Sequence, residues 1–148
     1  MKWFRNKRIL VPFDFSDDSV QAVEVALQIL DRHADVHILH VVEPLPANDP
    51  FVTWEADGDA KRKEAARKNV QDKLAHLGKD EFHIDIGMGS PANVIVKLAE
   101  EIDIGLIIIP SHGLTGLSRL MMGSVSERVV RLAHCPVLVL KDPPKARA

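Results

Sequence analysis

The sequence holds a single cysteine, Cys135, which excludes an intrachain disulfide. A lone thiol is compatible with a reducing cytosol, and within its apolar run Cys135 reads as a small hydrophobe. No sign of charge predominates. The 19 Lys and Arg stand against 21 Asp and Glu, a net charge of −2. That balance argues against a nucleic-acid partner, which calls for a basic excess on one face. Two basic clusters, Lys2 to Arg8 and Lys61 to Lys68, have acidic neighbours and read as solvated surface. No apolar run approaches the ~20 residues that a membrane span needs. No apolar signal segment with a small-residue cleavage site follows Met1. The expectation is a cytoplasmic protein with neither membrane nor nucleic-acid partners. Ser124 has no lysine before it, so the Walker pattern is absent, and no G-x-G-x-x-G follows the first apolar run. His33, His37, His40, His76, His83 and His134 lack zinc-ligand spacing, and no metal site is expected.

What is present suits a single domain over residues 1–148. A chain this long buries about 68–70% of its unfolded surface and folds without staples. Ile9-Leu10-Val11-Pro12-Phe13 is apolar on both faces, as a strand between helix layers is. Ser16 or Asp17 can cap the helix that follows, with Val20, Val23, Ala26, Leu27 and Leu30 as its face and an end near His33. Residues 36–42 form a second strand, and a proline-bearing loop runs from Glu43 to about Gly58. A charged helix from about Asp59 to Leu77 stops at Gly78. Residues 82–86 alternate as a third strand nearer an edge. Ser90-Pro91 opens a helix carrying Val94, Ile95, Leu98 and Ile102. Residues 104–109 form a fourth strand, 124–134 a last helix with Val125, Val129, Val130 and Leu132 as its apolar content, and 136–140 a fifth strand. Such alternation implies an α/β fold, with a parallel sheet and helices on both faces.

In an open parallel sheet, ligands bind beyond the carboxyl ends of the strands. Pro12-Phe13-Asp14, Val41-Val42 and Pro110-Ser111-His112-Gly113 stand at such ends. The last leads through nine residues to Gly123-Ser124, which opens a helix. Gly113, Gly116 and Gly123 allow close backbone approach. Unpaired amides and about half a positive charge at the helix start make an anion site that suits phosphate. The hydroxyls of Ser124 and Ser126 can add donors. Ser124-Val125-Ser126-Glu127 also fits a capping box, which satisfies the same amides internally. The two readings can coexist. Asp14 is either a ligand acceptor or a turn aspartate. His112 is either a phosphate or ribose contact or a loop residue bonded to backbone.

From Ile9-Leu10-Val11-Pro12 to Cys135-Pro136-Val137-Leu138-Val139 the chain resembles the universal stress protein family. The most specific stretches are Ser111-His112-Gly113-Leu114-Thr115-Gly116-Leu117-Ser118-Arg119 and Gly123-Ser124-Val125-Ser126-Glu127-Arg128-Val129. Gly113, the nine residues 114–122, Gly123 and Ser124 match the later part of the family's G-x-x-G-nine-G-[ST] pattern. The resemblance implies a Rossmann-like, universal stress protein-like sheet of order 3-2-1-4-5. It also implies ATP or another adenine nucleotide, with or without Mg²⁺, its phosphates along this loop. Asp14, Val41 and the backbone near Pro12 would meet the adenine. It further implies a homodimer paired through the last strand, Val137 to Leu140. The pattern's first glycine is Pro110 here, which has a fixed φ and no N–H to offer a ligand. With no evident base or metal clamp, a sensor or regulator with at most slow hydrolysis is expected. The alternatives are a dimeric module that holds no nucleotide and a weak ATPase.

Overall fold

The computed structural model describes residues 8–30, 35–46, 48, 58–78, 82–112 and 122–141. Within them run β1 (Ile9–Pro12), α1 (Asp17–Ile29), β2 (Val36–Val42), α2 (Gly58–Lys73), β3 (His83–Met88), α3 (Pro91–Glu101), β4 (Leu106–Pro110), α4 (Ser124–Leu132) and β5 (Val137–Leu140). The strands form one parallel sheet in the order β3-β2-β1-β4-β5. The order expected from the family resemblance is therefore the observed one.

Strand alternation sends successive side chains to opposite faces, and each face carries its own core. Ile9, Val11, Val36, Ile38 and Ile108 meet Ala22, Val23 and Ala26 of α1 and Val70 and Leu74 beside them. Leu10, Leu39, Ile107 and Ile109 meet Ala92, Ile95 and Ala99 of α3 and Val129 of α4. Both faces of the central strands are covered, so β1 and β4 are buried along their whole length. β3 is a border strand, as its mixed pattern suggested.

Several boundaries differ from the sequence reading, each for a local reason. Gly87 and Met88, beyond the expected strand 82–86, continue β3 because Val41 and Val42 of β2 pair with them. The turn is made one residue later by Gly89, at φ 139°. A β-carbon on Gly87 would stand 2.5 Å from Val94 Cγ1, so α3 rests directly on this glycine. α2 stops at Lys73, and the expected run to Leu77 ends as a 3₁₀ turn over Ala75–Leu77 before Gly78 at φ 107°. Along this charged helix Ala65 is exposed, whereas Val70 and, just past its end, Leu74 are buried. β4 starts at Leu106 rather than Ile104, and α4 ends at Leu132. α1 stops at Ile29, with His33 outside the described residues.

One carbonyl on the outer border of β3 has a side-chain partner. Gly89 N–H donates to Val42 O, so alternate backbone groups turn Ile84 O away from β2. The Arg67 guanidinium of α2 donates to that carbonyl. β5 forms the opposite border.

Candidate functional site

The sheet order reverses between β1 and β4, the position at which open α/β sheets bind ligands. These two strands pair only at Ile9 with Leu106 and at Leu10 with Ile107. β1 pairs with β2 as far as Pro12, and β4 with β5 as far as Pro110. Past Leu10 and Ile107 the two central strands therefore share no ladder. Backbone directions supply the reason. Phe13 N–H donates outward to Leu39 O at 2.8 Å, and Ser111 N–H outward to Leu140 O at 2.9 Å. The residues just before them, Pro12 and Pro110, turn their nitrogens toward the gap by alternation. Neither nitrogen carries a hydrogen, so no bond can close the sheet there. Pro110 thus breaks the glycine pattern and withholds a donor from the gap side of β4.

On the β1 side, Asp14 begins the chain's turn into α1. Its Oδ1 accepts from the Ser16 N–H at 3.0 Å and from the Ser16 hydroxyl. Ser16 in turn caps α1, its Oγ accepting from Ser19 N–H at 3.1 Å. This Asx-type turn holds Phe15 in the left-handed region, at φ 68°. Phe15 packs edge-on against Phe13 and His40 at 5.2 and 4.8 Å. The Phe13 carbonyl lies 2.7 Å from His40 Nδ1. His40 was not among the sequence candidates, yet it fixes the backbone of one that was. Val41 sits half-buried near the end of β2, beside Gly87.

On the β4 side the capping box expected at Ser124 does not form. Gly123 is the N-cap, Ser124 is already helical, and no side chain caps the end. Gly123 takes the position because its N–H donates to Ser111 O at 2.7 Å, which draws the helix start back onto the end of β4. Glu127 pairs instead with Arg131, at 2.7 Å. The first intrahelical bond is Glu127 N–H to Gly123 O, so the amides of Ser124, Val125 and Ser126 precede it. The Ser126 hydroxyl donates to Pro110 O at 2.7 Å. Its one hydrogen is thus used within the protein. Ser124 and Val125 are exposed. His112 is buried, and its Nδ1 has no hydrogen-bond partner among the described residues. Gly113 and Gly116 lie outside the described residues.

The universal stress protein family model matches residues 5–141. The chain belongs to the universal stress protein family. This universal stress protein is 38% identical to Universal stress protein MJ0531 of Methanocaldococcus jannaschii, over 94% of this chain and 84% of that protein. It is 32% identical to Universal stress protein YxiE of Bacillus subtilis, over 90% of this chain and 98% of that protein. The solved structure of MJ0577 superimposes with a TM-score of 0.71 at 31% identity, covering 94% of this chain and 98% of that one.

Elsewhere, His37 Nδ1 lies 3.1 Å from Asp85 Oδ2 and its ring stacks on His83 at 4.7 Å. Among the described residues no three His, Cys, Asp or Glu side chains are grouped to hold a metal ion. Nor is any helix there long and apolar enough to cross a membrane.

Proposed function

We propose that the chain binds an adenine nucleotide, ATP or AMP, where β1 and β4 part, and acts as a cytoplasmic sensor or regulator in a stress response. The observation that carries this reading is the start of α4. It is a nine-residue helix with no side-chain cap, drawn against the end of β4 beside the unpaired gap. Its first amides and its dipole favour a phosphate. The base and ribose are then assigned to Pro12, Phe13, Asp14 and Val41, and the phosphates to Gly113, Gly116, Gly123, Ser124, Val125 and the Ser126 amide. Two neighbours in fold, each 23% identical to this chain, were solved in complex with cAMP (TM-score 0.63) and with dAMP (TM-score 0.58). Their ligands suit a site of this chemistry. Mass spectrometry of freshly purified, denatured protein and calorimetric titration with ATP and AMP test the proposal. Co-purified nucleotide or saturable heat supports it. Neither signal at high micromolar ligand overturns it.

The chain is also proposed to self-associate through β5. Leu138 on this border strand is 39% exposed, and Val125, Val130 and Leu132 of α4 are exposed as well. Of the apolar residues of α4, only Val129 is buried against the sheet. A border strand that carries an exposed apolar side chain suits a second copy of the same chain. Light scattering of wild type and Leu138→Lys tests this: a dimer converted to monomer supports it, and a monomeric wild type overturns it.

A further inference from the structure

We infer that His37 and His83 form a two-histidine site for a divalent late transition-metal ion, Cu²⁺ or Zn²⁺, where β2 and β3 run side by side. This site stands apart from the gap between β1 and β4 and requires nothing of the nucleotide reading. Sequence spacing gave no sign of it, because its two ligands come from different strands.

Register brings the pair together. His37 of β2 is the direct partner of His83 of β3. The two rings stack, with centroids 4.7 Å apart and planes 20° from parallel. Asp85 stands two residues along β3 from His83 and so on the same face of the sheet. Its Oδ2 lies 3.1 Å from His37 Nδ1. A carboxylate only accepts, so the His37 ring carries its proton on Nδ1 and keeps a lone pair on Nε2. A carboxylate behind one ring nitrogen is the usual companion of a histidine that ligates through the other, where it fixes the ring and raises its basicity.

Imidazole pairs suit Cu²⁺ and Zn²⁺ above harder ions. A metal about 2.0–2.1 Å from each of two nitrogens holds them about 3 Å apart, so one ring must swing out of the stack to close on it. His83 is exposed and can make that swing, while the His37 side chain, 15% exposed, is held by Asp85. Among the described residues no third His, Cys, Asp or Glu completes a three-ligand set. The ion would therefore keep water in its remaining positions. His37 and His83 stand near the amino ends of their strands, the end of the sheet away from the gap. Val41 is four residues further along β2, about 13 Å of strand.

Calorimetric titration with Cu²⁺ and Zn²⁺, and the electron paramagnetic resonance spectrum of the Cu²⁺-loaded protein, test the inference. Wild type is expected to take up one tight equivalent of either ion, Cu²⁺ the more tightly, with Cu²⁺ hyperfine structure from two nitrogens. His83→Gln changes an exposed residue and is expected to weaken Cu²⁺ binding by about tenfold or more, leaving the signature of one nitrogen. His37→Gln is expected to do the same. Asp85 acts as a positioning residue. Asp85→Ala is expected to weaken binding about tenfold, and Asp85→Asn, which keeps an acceptor for Nδ1–H, to restore most of it. His76→Gln and His134→Gln alter exposed histidines elsewhere and are expected to bind as wild type does. Urea midpoints without metal establish that each variant is folded. The inference is overturned if wild type binds neither ion, if its Cu²⁺ spectrum shows one nitrogen, or if folded His83→Gln binds as wild type does. Equal losses in His76→Gln or His134→Gln would mark an adventitious ion only and overturn it as well.

Discussion

The hydroxyl of Ser126 donates to the carbonyl of Pro110 across 2.7 Å, and both residues are buried. The first turn of α4 is thereby fastened to the last residue of β4. Ser126→Ala leaves the Pro110 carbonyl buried without this partner. The expected loss is about 1–3 kcal/mol of unfolding free energy, read from urea denaturation, with weaker AMP binding as the helix start loosens.

Gly123 separates fold from binding. Its φ is −61°, open to any residue, and a β-carbon there meets Ser111 O at 3.4 Å, an ordinary contact. Gly123→Val should cost only about 1 kcal/mol, the scale of an N-cap change, while placing two methyls at the helix start. Calorimetry should show AMP binding abolished with the circular dichroism spectrum preserved. Undiminished binding would remove the phosphate site from this helix.

Gly87 behaves in the opposite manner. The 2.5 Å approach to Val94 Cγ1 admits no β-carbon, and a β-branched helical side chain has little freedom to turn aside. Gly87→Ala should destabilise by about 1–3 kcal/mol. The double variant Gly87→Ala with Val94→Ala should recover part of it, and a urea-based double-mutant cycle measures the coupling.

Asp14→Ala removes the acceptor for two Ser16 donors and frees Phe15 from its left-handed conformation. A loss of about 1–2 kcal/mol is expected, with Asp14→Asn much closer to wild type because it keeps an Oδ1 acceptor. Chemical denaturation of the two variants distinguishes a turn role from a purely ligand-directed one, which would leave stability untouched.

Burial pushes the Cys135 thiol above its ordinary range, outweighing the backbone hydrogen bonds that favour the thiolate. A raised folded-state value means less thiolate at a given pH. Alkylation by iodoacetamide at pH 8 should therefore be slower in the folded protein than in urea. The same shift stabilises the fold below the unfolded thiol's pKa, and this contribution disappears as pH rises through the folded value.

Most of the architecture was legible because it follows from local pattern. The runs at Ile9 and Leu106 are apolar on both faces, which only strands covered from two sides require. Ser16 announced the start of α1. Registers were not legible, because they depend on partners far along the chain. Val41 and Val42 retain Gly87 and Met88 in β3, and nothing near Gly87 signals it. The capping motif misled for a related reason. Ser124 and Glu127 have the right spacing, yet Ser111 O, twelve residues before Gly123, fixes where the helix begins. Pro12 and Pro110 were visible as residues, but their common effect emerges only when β1 and β4 stand side by side. The spare nitrogen of His112 is likewise a property of packing that no motif spells out.

The guanidinium of Arg67, lying over the Ile84 carbonyl, also bears on how copies can add together. A sheet open along both margins can extend without limit, one molecule after another, into a fibre. Here one outward carbonyl along β3 is already engaged by the chain's own helix, so a strand arriving at that margin finds one acceptor fewer.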